Sequence, residues 1–249
     1  MAALLLANCA GGPSGVANAA SSATLSPAQM ERVGKKIWQN ECGGTVAGLT
    51  SWNAGEDFAS LGIGHFIWYP AGRRGPFEES FPPLMAYYRQ RGVAVPDWAL
   101  GACPWSTKGA FQADQKGARL TELRGLLART TGLQTEFILR RLERAAAGMG
   151  GAARAGFEAL RTTPEGMFCM IDYVNFKGEG TNAKERYNGQ GWGLQQVLEE
   201  MRGAGTPAAF AEASKRVLSR RVANAPPERG EKRWLAGWHA RCERYKAGL

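Results

Sequence analysis

The 249-residue sequence is poor in the patterns that mark metal and nucleotide sites. It contains two histidines and five cysteines, and none of them shows the CxxC or Cys/His spacing of a metal site. The Gly-x-Gly stretch at residues 62–64 lacks the third glycine and the following helix of a dinucleotide-binding turn. The sequence therefore predicts no metal and no organic cofactor.

Motifs for nucleic-acid binding are also missing, although the chain is basic. There are 31 lysines and arginines against 22 aspartates and glutamates, which gives a formal net charge of +9. No basic run is interleaved with aromatic residues, so we predict no nucleic-acid partner. A positive charge of this size instead suits an acidic polymer or an anionic surface.

Residues 1–25 have the composition of a targeting segment followed by a flexible tether. The apolar run at residues 4–6 leads into the letters LANC, and glycine, proline and serine follow. The run is too short to cross a membrane. It resembles the end of a bacterial lipoprotein signal, in which the cysteine, here Cys9, receives a lipid, although no lysine or arginine precedes it. We predict export to the periplasm and membrane attachment through Cys9; an N-terminus that is only disordered is the alternative.

The four remaining cysteines admit two interpretations. An even number of cysteines in an exported chain permits two disulfides, whose pairing the sequence does not give. Alternatively the thiols are core residues, because two of them lie among apolar side chains. The cysteines in question are Cys42, Cys103, Cys169 and Cys242.

A first helix is predicted to begin near residue 26. Ser26 is a typical N-cap, Pro27 occupies the first helical position, and Gln29 completes a capping box. Gly43 and Gly44 then predict the end of the helix.

Glu41 lies on the buried side of this helix. Met30, Val33 and Ile37 follow one another at spacings of three and four residues, and Glu41 continues their stripe. Burial and the negative end of the helix dipole both disfavour a charged carboxylate, so we predict a raised pKa for Glu41. A glutamate that stays protonated near neutral pH can serve as a general acid. The alternative is a glutamate that is paired with an arginine or half-exposed at the helix end.

Residues 58–68, FASLGIGHFIW, alternate like a β-strand. Gly62 and Gly64 would share one strand face, and glycines there indicate that something approaches the backbone closely. His65 would lie on the other face. Most of the remaining chain is predicted to be helical, at residues 82–92, 107–116, 119–147, 152–161, 164–177, 191–202, 207–222 and 228–246.

These elements predict an α+β fold in which a small β-hairpin lobe near the N-terminus joins a helical lobe. Two helix starts are marked clearly, by Thr163 before Pro164 and by Thr206 before Pro207. No repeat and no second domain boundary stands out, so residues 26–249 are expected to form a single domain.

Four stretches together resemble the phage-type lysozymes of the lysozyme-like superfamily. They are the helix that ends at Glu41, the strand SLGIGHF, and the later stretches MIDYVNFKGEG and SRRVANAPPERGEKRWLAGWHARCERY. The resemblance covers residues 26–70 and 160–246, whereas residues 71–159 do not match and look like an enlarged helical insertion. It implies a mostly helical lysozyme-like fold and a glycosidase that cleaves the β-1,4 bond between N-acetylmuramic acid and N-acetylglucosamine in peptidoglycan.

The resemblance also implies roles for individual residues. Glu41 matches the family's general acid, and Ser60 matches its catalytic-site threonine. Residues 62–65 match the family's GIGH strand, and Arg229 matches the arginine beside the catalytic acid.

One departure from the family affects the second catalytic group. The family keeps an aspartate six positions before the threonine, where this chain has Ala54; Asn53 is adjacent, and Glu56 lies nearer the strand. If Glu56 replaces the aspartate, two carboxyl groups remain for hydrolysis. Without it, Asn53 and Ser60 could hold a water molecule or the N-acetyl group of the sugar. A lytic transglycosylase needs only Glu41, since a hydroxyl of the substrate is then the nucleophile.

Residues around these positions are candidates for substrate binding. Trp52 and Trp68 stand beside the strand and could stack on sugar rings, with a core position as the alternative for each. The resemblance places Asn175 at the floor of the cleft. The full set of predicted binding residues is Trp52, Gly62, Gly64, Trp68, Asn175 and Arg229.

Muramidase activity is the function that these residues predict best, and a lytic transglycosylase acting on the same bond is the alternative. A different class of function keeps the fold without the chemistry, as a peptidoglycan-binding envelope lipoprotein. The missing aspartate supports that class. A cytosolic endolysin without a lipid on Cys9 is the third possibility.

Overall fold

The computed structural model describes residues 25–75, 77–183 and 185–249. The α+β class is confirmed, because these residues are mostly helical and carry two small antiparallel sheets. Cys9 and the rest of residues 1–24 lie outside the described residues. No helix in the described part of the chain has the length and apolar character needed to cross a membrane. The helices are α1 (Pro27–Cys42), α2 (Phe81–Gln90), α3 (Lys108–Ala113), α4 (Ala118–Arg129), α5 (Thr131–Ala147), α6 (Gly151–Leu160), α7 (Pro164–Lys177), α8 (Leu194–Glu200), α9 (Pro207–Asn224) and α10 (Leu235–Glu243).

Helix α1 forms as the sequence predicts. Its first turn is closed by a capping box, in which the Ser26 hydroxyl accepts from the Gln29 amide at 3.3 Å and the Gln29 side chain accepts from the Ser26 amide at 2.7 Å. Gly43 ends the helix in the left-handed conformation, with φ of +62°. The predicted apolar stripe is buried, and α1 packs along α5. The end of α1 is therefore held against the core.

The first sheet consists of three short antiparallel strands, β1 (Thr50–Ser51), β2 (Ala59–Leu61) and β3 (Phe66–Trp68). The prediction of one alternating strand over residues 58–68 is wrong, because residues 62–65 form a tight turn between β2 and β3. Gly62 and His65 both have positive φ, +68° and +47°, and the His65 amide donates to the Gly62 carbonyl at 3.4 Å. Gly62 thus serves a turn and not a strand face.

Helices α5 and α7 hold this turn in place. Gln134 is fully buried; its side-chain oxygen accepts from the Ile63 amide at 2.9 Å, and its nitrogen donates to the Leu127 carbonyl at 2.7 Å. On the other side, Asn175 donates to the Ile63 carbonyl at 3.4 Å. Both backbone groups of Ile63 are therefore satisfied by helices, which fixes the position of the neighbouring His65.

Gly62→Ala should destabilise the fold more than Gly55→Ala, although both glycines have positive φ, +68° and +81°. An added Cβ at position 62 would lie 2.3 Å from the Gln134 side-chain oxygen, whereas at position 55 it would meet nothing within 4 Å. The left-handed backbone alone costs an alanine about 1–2 kcal/mol, and the clash adds to this cost at position 62 only. Urea denaturation measures both losses; equal losses would contradict the packing role of Gly62.

Residues 71–159, the segment without a counterpart in the resemblance, are helical as expected and also form part of the core. Leu84, Leu123 and Leu142 are fully buried, and they belong to the same hydrophobic cluster as the stripe of α1. The segment is therefore integral to the packing around the hairpin turn.

The long helix predicted at residues 119–147 is two helices, α4 and α5, and the break is at Thr130. The Thr130 hydroxyl donates to the Leu126 carbonyl at 2.7 Å and lies 2.6 Å from the Tyr88 hydroxyl. Its backbone leaves the helical region, with φ of −120° and ψ of 23°. Because this side chain faces the core, it does not cap the first turn of α5.

The helix predicted at residues 191–202 begins later than expected. A hairpin of β4 (Arg186–Tyr187) and β5 (Gln190–Gly191) precedes α8. Gly193 follows this hairpin and packs on the backbone of Gly180, where an added Cβ would lie 2.2 Å from the Gly180 nitrogen. This close approach fixes where α8 can start.

The helix predicted at residues 228–246 is interrupted. Two short 3₁₀ turns, Pro227–Arg229 and Glu231–Trp234, come before α10, and a third follows it. Gly230 separates the first two turns and has left-handed φ of +56°, which a continuous helix does not permit.

The four cysteines of the domain are core residues. All are buried with free thiols, so no disulfide joins them, and the core interpretation is confirmed. Burial raises the pKa of the thiols of Cys42, Cys103 and Cys242 to about 12. These thiols therefore stay protonated and have little nucleophilic character.

Candidate active site

Glu41 is held between a histidine of the hairpin turn and an arginine of the last helix. Its side chain is 12% exposed. One carboxylate oxygen accepts a hydrogen bond from the Arg241 guanidinium, and the other lies 3.4 Å from His65 Nε2. Both Glu41 and His65 were singled out in the sequence, and the fold brings them into contact.

The carboxyl of Glu41 is ionised more readily than predicted. Burial raises its pKa, but the hydrogen bond from His65 and the positive charge of Arg241 outweigh burial, so the pKa lies below the ordinary value of 4.5. The prediction of a glutamate that is protonated near neutral pH is wrong for this structure, and the alternative of an arginine-paired glutamate is confirmed. The periodicity of α1 indicates burial, but it contains no signal for partners elsewhere in the chain.

Arg241 is anchored by Asp172, a fully buried carboxylate on α7. The guanidinium donates to both carboxylate oxygens of Asp172. The distance is 3.0 Å from Nε to Oδ2 and 2.9 Å from Nη2 to Oδ1. The Tyr245 hydroxyl donates to Asp172 at 2.8 Å and the Asn40 amide donates at 3.2 Å. One buried carboxylate thus fixes the arginine that holds Glu41.

The prediction that Arg229 is the arginine beside the catalytic acid is wrong. Its side chain is 57% exposed, and its guanidinium lies 3.8 Å from Glu231. Arg241 takes the expected place, and the spacing of arginines near the C-terminus gives no signal that distinguishes it. A signal for its anchor does exist, since Asp172 is the one charged residue in the apolar stretch MFCMIDYVNF.

Glu56, Ser60 and Asn53, the alternative candidates for the second catalytic group, are joined to one another by hydrogen bonds at the start of the hairpin. One oxygen of Glu56 accepts from the Asn53 amide at 3.1 Å and from the Ser60 hydroxyl at 3.4 Å. Glu56 is partly exposed, and these two hydrogen bonds orient its carboxylate. The family's aspartate is replaced here by Ala54, and Glu56, two residues later in the chain, provides a carboxylate in the same loop.

Trp52 and Trp68 are core residues, so the prediction that they stack on sugar rings is wrong for both. Trp52 is 6% exposed, and its indole donates to the Glu56 carbonyl at 2.8 Å. Trp68 is fully buried, and its indole donates to the Gly101 carbonyl at 2.9 Å. Apolar burial with one satisfied N–H is the usual role of a core tryptophan.

Three of the predicted binding residues lie at or beside the turn, and each has a structural contact within the chain. They are Gly62, Gly64 and Asn175. Asn175 donates to the turn backbone, and Gly62 packs on a buried glutamine as described above. An added Cβ at Gly64 would lie 2.7 Å from the ring of Phe66. Gly64 also borders the cleft described next.

Two cavities meet at His65, and we call them together the cleft. The smaller has a volume of about 250 Å³ and is bordered by Asn53, Glu56 and Ser60. The larger has a volume of about 430 Å³ and extends past Arg141 towards Glu179. Both cavities are bordered by His65, Ile67 and Phe77. Glu41 borders neither cavity; it is linked to the cleft through its contact with His65, and Glu56 borders the smaller cavity.

Phe77 is an exposed aromatic side chain of the cleft that sequence reasoning missed. It is 56% exposed, and the centre of its ring lies 5.9 Å from that of Phe58. The signal that could have identified it is a single phenylalanine in the charged, glycine-containing loop RRGPFEES. An exposed ring at the meeting point of two cavities offers an apolar face to a bound molecule.

No group of three or more histidine, cysteine, aspartate or glutamate side chains in the described ranges is arranged to hold a metal ion. The ionisable side chains that border the cleft are those of Glu56, His65, Glu78, Arg141, Glu179 and Glu185.

The charge on Glu41 should make stability depend on pH. A carboxyl whose pKa is lower in the folded protein than in the unfolded chain stabilises the fold above the unfolded pKa, and this stabilisation disappears as the pH falls through the folded pKa. We expect the wild type to lose more stability than Glu41→Gln between about pH 6 and pH 3. Urea denaturation at the two pH values measures the losses, and identical losses would contradict an ionised Glu41.

Comparison of the chain with protein-family models, with curated proteins and with solved structures gives no match. The resemblance to phage-type lysozymes therefore rests on the residues named above.

Proposed function

We propose that the protein cleaves the β-1,4 bond between N-acetylmuramic acid and N-acetylglucosamine in peptidoglycan, as a muramidase. The observation that supports this most is the placement of Glu41, a largely buried carboxyl that contacts His65, because His65 borders the cleft together with Glu56. A pair of carboxyl groups near one cleft is the equipment of a glycosidase.

Glu41, which is ionised in the free protein, would take up a proton from water when the sugar binds and give it to the leaving oxygen of the glycosidic bond. A sugar that covers the carboxyl removes its remaining contact with water, and desolvation raises the pKa of a carboxyl. Once the proton has left, the carboxylate is stabilised by Arg241 and His65, the same groups that lower its pKa in the free protein. The pairing therefore makes Glu41 a stronger acid at the moment of bond cleavage.

Glu56 would act at the sugar carbon from which the leaving oxygen departs. Its carboxylate, oriented by Asn53 and Ser60, can stabilise an oxocarbenium-like centre or accept a proton from an attacking water. This oriented carboxylate favours hydrolysis. In the alternative, a lytic transglycosylase, a hydroxyl of the substrate attacks and Glu56 only binds.

A non-catalytic function as a peptidoglycan-binding envelope lipoprotein is the second candidate. The ion pair between Glu41 and Arg241 favours it, because a carboxylate that is already paired can have a purely structural role. Export to the periplasm and a lipid on Cys9 belong to both candidates.

The decisive experiment is to incubate purified sacculi with the wild type and with Glu41→Gln, and to identify the released muropeptides by mass spectrometry. Reducing ends from the wild type alone are the expected result. Anhydro-muropeptides would replace the muramidase by the transglycosylase. Binding to sacculi without release of muropeptides by either protein would overturn the enzyme and leave the binding function.

A further inference from the structure

A cavity of about 600 Å³ lies between α1, α4 and α5, and it is separate from the cleft. No residue that borders the cleft borders this cavity. Its volume falls in the range of about 300–1,000 Å³ that is typical of small-molecule sites. The proposed reaction makes no use of it.

One wall of this cavity is apolar. It is formed by side chains of α1 and α5, among them Met30, Trp38, Leu133 and Leu139. Met30 and Leu139 belong to the hydrophobic core, and Trp38 and Leu133 pack against it, so this wall is continuous with the core. It suits the apolar part of a ligand.

The rest of the lining carries more positive charge than its carboxylates neutralise. Arg91 and Arg140 share one carboxylate, Glu136, with nitrogen–oxygen distances of 2.5 and 3.2 Å. Glu143 also borders the cavity, but it pairs with Arg161, which lies outside the lining. Arg129 borders the cavity and has no hydrogen bond or ion pair with any residue that the structure describes. The cavity is therefore suited to an anion.

A hydroxyl in the same lining makes no hydrogen bond within the described part of the protein. Thr131 is 5% exposed and borders the cavity, and its hydroxyl makes no hydrogen bond within the described ranges. It stands in the first turn of α5, where Thr130 provides no cap because its side chain faces the core. The hydroxyl is therefore available to donate a hydrogen bond to a ligand oxygen.

We propose that this cavity binds a small amphiphile whose head group is a carboxylate or a phosphate. The head lies beside Arg129 and the Thr131 hydroxyl, and the apolar body lies along Met30 and Leu139. Excess positive charge selects the head group, and the buried apolar wall selects the body.

Decyl phosphate tests the proposal by isothermal titration calorimetry on the full chain. We expect one site on the wild type, with affinity about three- to tenfold weaker for Arg129→Ala and for Thr131→Val. Thr131→Val keeps the shape of the side chain and removes only the hydroxyl. Arg144→Ala is the matched control, because Arg144 is an exposed arginine of α5 outside the lining. An equal loss of affinity in Arg144→Ala would overturn the assignment to this cavity.

Three further probes separate the head from the body of the ligand. Decanol, decyltrimethylammonium and inorganic phosphate should all bind more weakly than decyl phosphate. Equal affinity for decanol or for the cation would overturn the anionic head, and equal affinity for inorganic phosphate would overturn the apolar body. Binding to vesicles that contain phosphatidylglycerol, with none to monomeric decyl phosphate, would indicate a membrane surface and overturn the cavity site.

Discussion

Replacing Glu41 with glutamine should lower the rate of sacculus cleavage by about a thousandfold while the protein remains folded. The amide keeps the shape of the side chain but has no acidic proton for the glycosidic oxygen. Asp172 still binds Arg241 in this variant, so no guanidinium is left without a carboxylate. The initial rate of muropeptide release measures the effect, and thermal unfolding checks the fold.

Glu31→Gln is the matched control for this experiment. Glu31 lies on the same helix, its side chain is 56% exposed, and it pairs with Lys35 at 2.9 Å. The cleavage rate of this variant should equal that of the wild type. A folded Glu41→Gln protein that cleaves at the wild-type rate would exclude Glu41 as the proton donor.

Asp172→Ala should lower the free energy of unfolding by about 3–5 kcal/mol, because it leaves the guanidinium of Arg241 without its anchor in the core. The Tyr245 hydroxyl, which is also buried, loses its acceptor at the same time. Urea denaturation measures the loss.

Two comparisons make the prediction for Asp172 specific. Asp57→Ala removes a carboxylate that is 80% exposed and 3.7 Å from Arg73, and the free energy of unfolding should change by no more than about 0.5 kcal/mol. The double variant of Asp172→Ala with Arg241→Ala should lose less than the sum of the two single losses. Simple additivity would contradict a direct anchoring role for Asp172.

The parts of the fold that follow from neighbouring residues could be predicted from the sequence. The capping box of Ser26 and Gln29 and the N-caps Thr163 and Thr206 all form, since a cap depends on a side chain and an amide three residues apart. Helix α7 accordingly has the predicted bounds. The cluster of Glu56 with Ser60 and Asn53 is also local, and it forms next to the predicted strand.

The features that the sequence did not reveal depend on contacts between distant segments. The turn at residues 62–65 needs Gln134, and the break at Thr130 needs Tyr88; neither partner has a position that local periodicity indicates. The sign of the pKa shift of Glu41 has the same origin. Burial can be read from the stripe of α1, but His65 and Arg241, which together outweigh burial, come from the hairpin turn and the last helix.

Glu41 and Arg241 are 200 positions apart in the chain. A chain that ends before α10 lacks this guanidinium, and Asp172 then lacks the cation that neutralises it. The contact between Glu41 and Arg241 can therefore form only after almost the whole chain has been synthesised.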